Sequence, residues 1–178
     1  MLALLATDNS DGDDEAKQHH AEVSSEIVTA LTRIACTDEF SVTLAEKGMS
    51  EILGAYKIHM ENPEFIAQLF QLVSQMAFHK ENLQSIIQCG GIKQAIDAVI
   101  QFPEEADLIQ HAVQLVDNCA TANAETANIV DAEGGAHLFD TVIESYEGKA
   151  GFEVRKASGC VGVLVLGVGS YCFGLVVV

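Results

Sequence analysis

Six histidines, five cysteines and 26 carboxylates give this 178-residue chain material for acid–base, nucleophilic or metal chemistry, so their spacing is the first question. The densest cluster is Thr7–Glu15, TDNSDGDDE. A calcium loop built around Gly12 would begin at Thr7 and end at Gln18. Both positions need carboxylates, so the segment is not an EF-hand. It reads as a disordered acidic lead-in. The adjacent His19 and His20 lack further ligands at a metal-binding spacing. His59, His79, His111 and His137 fall at different phases of separate segments and read as surface residues. Cys36, Cys89, Cys119, Cys160 and Cys172 are widely spaced, odd in number and form no CxxC pair. That pattern excludes a secreted disulfide framework. It fits small, buried apolar side chains in a reducing compartment. No GxSxG elbow, P-loop or full dinucleotide fingerprint occurs; Gly167 and Gly169 are followed by Cys172 where a third glycine belongs. No pair of carboxylates is set apart for proton transfer. The expectation is a non-enzymatic protein with no metal and no cofactor.

Charge narrows the partners. Nine basic and 26 acidic residues leave a net charge of −17. Such a surface repels phosphate backbones, which excludes nucleic acid. It attracts basic segments of other proteins. Apolar residues make up 49% of the chain, enough for a real core and too many for general disorder. Pro63 and Pro103 are the only prolines, which favours helices. Leu2–Ala6 is too short for a secretory signal and no basic region precedes it, so a cytoplasmic or nuclear setting is expected. Cys160–Val178 holds no charge and approaches the length of a membrane span. Residues 166–178 therefore read as a truncated or wrongly ended edge of a longer repeat protein or, alternatively, as a membrane tail anchor.

What positions the side chains is a repeat. Three segments run into a glycine: Phe40–Gly48 (FSVTLAEKG), Leu83–Gly91 (LQSIIQCGG) and Ala127–Gly135 (ANIVDAEGG). The closing glycines are 43 and 44 residues apart, and each is expected to cap a helix in the left-handed region. A second landmark keeps nearly the same period. Ile27/Leu31/Ala35, Leu69/Val73/Ala77, Ala112/Val116/Ala120 and Ala157/Val161/Val165 begin 42, 43 and 45 residues apart. Spacing of four places each set on one helix face. Between the landmarks lie the amphipathic stretches Ser50–Met60, Lys93–Phe102 and His137–Tyr146. Asn62-Pro63, Pro103, Gly148 and Gly151 close them. Each unit is a short helix, a glycine turn, a middle helix, a break and a long helix. One unit cannot bury its stripe alone, so neighbours must stack. The expected fold is all-α, a right-handed solenoid of about three to four three-helix repeats over residues 24–165. Residues 1–23 form the lead-in.

The stretch Lys80–Ala120 (KENLQSIIQCGGIKQAIDAVIQFPEEADLIQHAVQLVDNCA) resembles one full armadillo repeat. Thr121–Glu147 resembles the first two helices of the next repeat, and Glu153–Leu164 the start of its third. Ile27–Leu53 resembles a third helix leading into another unit. HEAT repeats are the nearest rival, but the three-helix order and the Gly-Gly turn favour armadillo. In that family third helices line a concave face that holds extended peptides. Its best-known members place Asn two residues before the closing Ala, with Trp one turn earlier. Asn118 matches, Gln75 offers a longer amide, and Arg33 departs. Thr29, Gln71 and Gln114 stand at the Trp positions. The ladder of the nuclear import receptors is missing, so that transport role is not implied. The resemblance implies a scaffold or adaptor that binds a protein or peptide, with a basic segment suiting its charge. The candidate partner-binding residues are Gln71, Gln75, Gln114 and Asn118. Their carboxamides can donate to and accept from a peptide main chain. The competing reading is a merely solvated polar face.

Overall fold

The computed structural model describes residues 2–5, 14–135, 137, 138, 140, 142, 152–157 and 160–165. Residues 14–135 form an all-helical body. The helices are α1 (Leu2–Leu5), α2 (Asp14–Ile34), α3 (Asp38–Ile58), α4 (Pro63–Met76), α5 (Lys80–Gln88), α6 (Gly91–Gln101), α7 (Ala106–Ala122) and α8 (Ala124–Ala132). Gly135, His137, Leu138, Asp140 and Val142 are also helical. Two strands follow, β1 (Phe152–Ala157) and β2 (Cys160–Val165).

Local chemistry sets several of these boundaries. The Asn62 side chain accepts from the Phe65 N–H at 3.1 Å, and Pro63 occupies the first turn of α4, where its missing N–H costs nothing. Asn123 separates α7 from α8 and accepts from the Thr126 N–H at 2.9 Å. Gly90 turns the chain from α5 into α6 at φ 80°, a conformation open to glycine without a Cβ penalty.

Packing follows the stripes. α2 packs on α4 and α4 on α7, so three long helices stand in chain order. Ile27, Leu31, Ala35, Leu69, Val73, Ala77, Ala112 and Val116 are all buried, as their spacing requires; Ala120 is partly buried. Each large apolar side chain removed from water stabilises by about 1.5–3 kcal/mol. α5 rests on α3 and α6 on α7. The buried Asn82 of α5 ties this corner together. Its Nδ2 donates to Ser41 Oγ on α3 and to the Met76 carbonyl at the end of α4, each at 2.9 Å. α1 lies against α3, and Leu5 is fully buried there.

Five expectations change. Phe40–Gly48 and Ser50–Met60 are not two helices, because α3 runs unbroken through Gly48. In the other two units the left-handed residue is the glycine before the expected one, Gly90 or Gly134. The equivalent position in α3 is Lys47, whose Cβ disfavours that turn, so the helix continues. Residues 14–23, expected in the lead-in, are the opening of α2 (DEAKQHHAEV), a sequence of mostly favourable helix formers. Residues 153–164, expected to open a third helix, instead form most of an antiparallel β1–β2 hairpin with Phe152 opposite Val165. Val154, Val161, Val163 and Val165 favour strands, and Gly162 weakens a helix. Met60 and Ile100, counted on apolar helix faces, are exposed.

Among the described residues no helix is long and apolar enough to cross a membrane. Residues 166–178, read from sequence as a tail, lie outside the described residues.

Candidate partner-binding face

The long helices bury one side and leave a polar side. On α4, Phe65, Ile66, Leu69, Phe70, Leu72, Val73 and Met76 go inward, which leaves Glu64, Gln68, Gln71 and Gln75 at the surface. On α7 the inward set is Leu108, Ile109, Ala112, Val113, Leu115, Val116 and Cys119. Gln110, His111, Gln114, Asp117, Asn118 and Thr121 remain on the other side. Gln71 is exposed, and Gln75, Gln114 and Asn118 are half-buried. All four predicted residues therefore lie on the polar sides of two neighbouring helices.

The amides divide into two kinds. Gln75 Nε2 donates to Cys36 Sγ at 3.0 Å, reaching back to the end of α2. Asn118 Nδ2 donates to the Ser74 carbonyl on α4 at 3.2 Å. Ser25 Oγ on α2 also hydrogen-bonds Gln68 on α4. These contacts join residues 39 to 44 positions apart, so each links one long helix to the next. The side chains of Gln71 and Gln114 have no hydrogen-bond partner among the described residues. They keep both donor and acceptor capacity for a ligand.

Two residues on this face were missed in the sequence. His111 was read as a surface residue, but it is half-buried and its Nδ1 is enclosed with no partner. Burial pushes its proton affinity down, and the nearby Asp107 opposes that shift. Asp117 is half-buried, and burial alone pushes its carboxyl above the ordinary range. Extending the Gln114 stripe by three residues in each direction finds both. Its carboxylate has no cation beside it among the described residues. Neither α4 nor α7 contains a Lys or Arg. Glu22, Glu64 and Asp107, which recur at the repeat spacing, are all exposed.

The cysteines do not share one fate. Cys119 is buried and its thiol is pushed up to about 12 by burial, so it is inert at neutral pH. Cys36, expected inside, is exposed. It lies in the turn just past the end of α2, beyond the last buried residue of that helix's stripe, Ala35. The described residues hold no group of three or more His, Cys, Asp or Glu placed to bind a metal ion. A shallow cleft of about 270 Å³ lies elsewhere, between α3 and the α5–α6 corner, lined by Lys47, Ser50, Ser85, Gln88 and Cys89 among others.

No protein-family model, curated protein or solved structure matches the chain. The face must therefore be interpreted from its own chemistry.

Proposed function

We propose that this chain is a scaffold of armadillo-type repeats that holds an extended, basic segment of another protein along α2, α4 and α7. The observation that carries the reading is the division of the amides. Gln75 and Asn118 fasten adjacent long helices, while Gln71 and Gln114, one turn earlier on each, have free hydrogen-bonding capacity. A carboxamide repeated once per unit suits a ligand that is itself periodic, such as a peptide main chain. The absence of Lys and Arg from α4 and α7, with Asp117 beside the amides, suits a cationic side chain in that ligand.

A titration with extended peptides of equal length and graded charge tests this. The basic peptide is expected to bind, more weakly as salt rises. Gln71→Ala with Gln114→Ala should weaken it by about tenfold, one to two hydrogen bonds' worth, without changing the unfolding midpoint. Equal binding by the double variant sinks the face, and a preference for the acidic peptide sinks the charge assignment. Gln71 and Gln114 are the cleaner targets, because Gln75 and Asn118 also join helices.

A further inference from the structure

We propose that the stacked pair His20–His59 is an acid-sensitive latch that fastens the first half of α2 to the α3–α4 corner and releases it on protonation. His59 caps the C-terminus of α3 and is 8% exposed, against the surface position expected of it. Its ring contacts two others. His20 of α2 stacks on it at 5.3 Å between centroids and 17° between planes. Phe65, in the first turn of α4, packs at 4.2 Å and 44°. One imidazole thus joins three helices.

The arrangement suits a neutral ring. His59 Nε2 is buried with no hydrogen-bond partner among the described residues, so a proton placed there would have no acceptor among them. Charge on His20 would then face charge on His59 across the stack. Burial first, and His20 second, hold His59 below the ordinary histidine range. Among the described residues, the charged positions nearest in sequence on the three elements are Lys57 on α3, Glu61 in the turn, Glu64 on α4, and His19 and Glu22 on α2. All five are exposed, and among the described residues none forms an ion pair with His59. From α6, Gln101 Nε2 reaches the Met60 carbonyl at 3.1 Å, and Glu104 and Glu105 beyond it are exposed.

The direction follows from linkage. The unfolded imidazole takes up a proton near pH 6.5, whereas the buried one resists until lower pH. The contribution of His59 is therefore complete above about pH 6.5 and is lost as pH falls through that value towards the folded one. The opening equilibrium should rise by up to about tenfold per pH unit within that window, for one proton taken up. Opening removes the first part of α2 from the row α2–α4–α7; the latch itself does not depend on the scaffold reading of that row.

Hydrogen exchange on the full chain at pH 7.5 and 5.5, corrected for intrinsic rates, tests the proposal. Amides of residues 18–28 are expected to gain opening at pH 5.5. His59→Phe, which keeps an aromatic plate without a titrating nitrogen, should abolish that gain. It should leave intact any pH response of α7, where His111 sits. Equal protection of α2 at both pH values overturns the latch, as does a gain that survives in His59→Phe. An NMR titration of the unaltered chain supplies the check if that variant does not fold. His59 should titrate below the ordinary histidine value and in step with α2 opening; a midpoint at or above that value overturns the proposal.

Discussion

Residues 48–53 of α3 and residues 91–96 of α6 stand one repeat of 43 residues apart and bury matching positions, yet the first continues a straight helix and the second follows a turn. Gly48, Met49, Ile52 and Leu53 are buried, as are Gly91, Ile92, Ala95 and Ile96. The packing demand is thus the same in both. The difference lies one residue earlier, where Lys47 answers to Gly90. A repeat can keep its apolar layer while its corner is decided by a single residue able to reach positive φ. The glycine shared by both units serves something else: close approach. A Cβ on Gly91 would stand 2.8 Å from Ile86 Cγ2, 3.1 Å from the Ile86 carbonyl oxygen and 3.2 Å from Leu53 Cδ1. A Cβ on Gly48 would meet chiefly Leu2 Cδ1, at 2.6 Å.

The largest expected effect separates those two surroundings. Gly91→Ala should destabilise by about 1–3 kcal/mol, because backbone and two packed side chains cannot all withdraw. Gly48→Ala should be near neutral or stabilising, gaining about 0.5–1 kcal/mol of helix propensity less the cost of swinging the end of Leu2 aside. Denaturant unfolding of the two variants checks the contrast. Losses of equal size would show that the two glycines have the same job.

A smaller effect asks whether the corner itself can be moved. Lys47→Gly gives α3 the Gly-Gly pair of the other units. A glycine inside a helix costs about 1 kcal/mol relative to good helix formers. Hydrogen exchange should quicken for the amides of residues 48–52, which lose protection if α3 parts into two helices. Unchanged protection there, with the stability loss present, would mean that contacts with α1, α4 and α5 hold α3 straight regardless of residue 47.

The same contrast explains what the sequence could reveal. Periodic burial was legible, since Leu69, Val73 and Ala77 have to share a face whatever surrounds them. So were the breaks at Asn62-Pro63 and Pro103, where the chemistry is local. The continuity of α3 was harder to read because it depends on Lys47, the residue before the aligned glycine, and not on the glycine itself. Asn82 gave no warning: its value lies in reaching Ser41 and Met76, a contact between three helices. His59 failed for a related reason. A histidine at a helix end usually faces water, and it takes His20 of α2 and Phe65 of α4, both outside its own segment, to cover it. At the candidate face, the spacing placed the four amides correctly on the polar side. It could not tell which two were committed to neighbouring helices, nor that burial would extend to Asp117.

Asp117 supplies the smallest change and the closest comparison with those amides. Burial raises its carboxyl's proton affinity above that of the unfolded chain, so ionisation at neutral pH opposes folding. The sign is the reverse of His59: stability from this group increases as pH falls through its folded value. Asp117→Asn should therefore stabilise the fold at pH 7 slightly, by about 0.5 kcal/mol or less, read as a small rise in the midpoint of thermal unfolding. The gain should vanish in acid, where the carboxyl is neutral in both states. If a basic segment binds beside Gln114 and Asn118, the same variant should lose affinity by roughly fivefold, the worth of a partly exposed ion pair of about 1 kcal/mol. A residue that costs stability when free and adds affinity when bound belongs to a binding face; a gain in stability with no loss of affinity would leave Asp117 outside it.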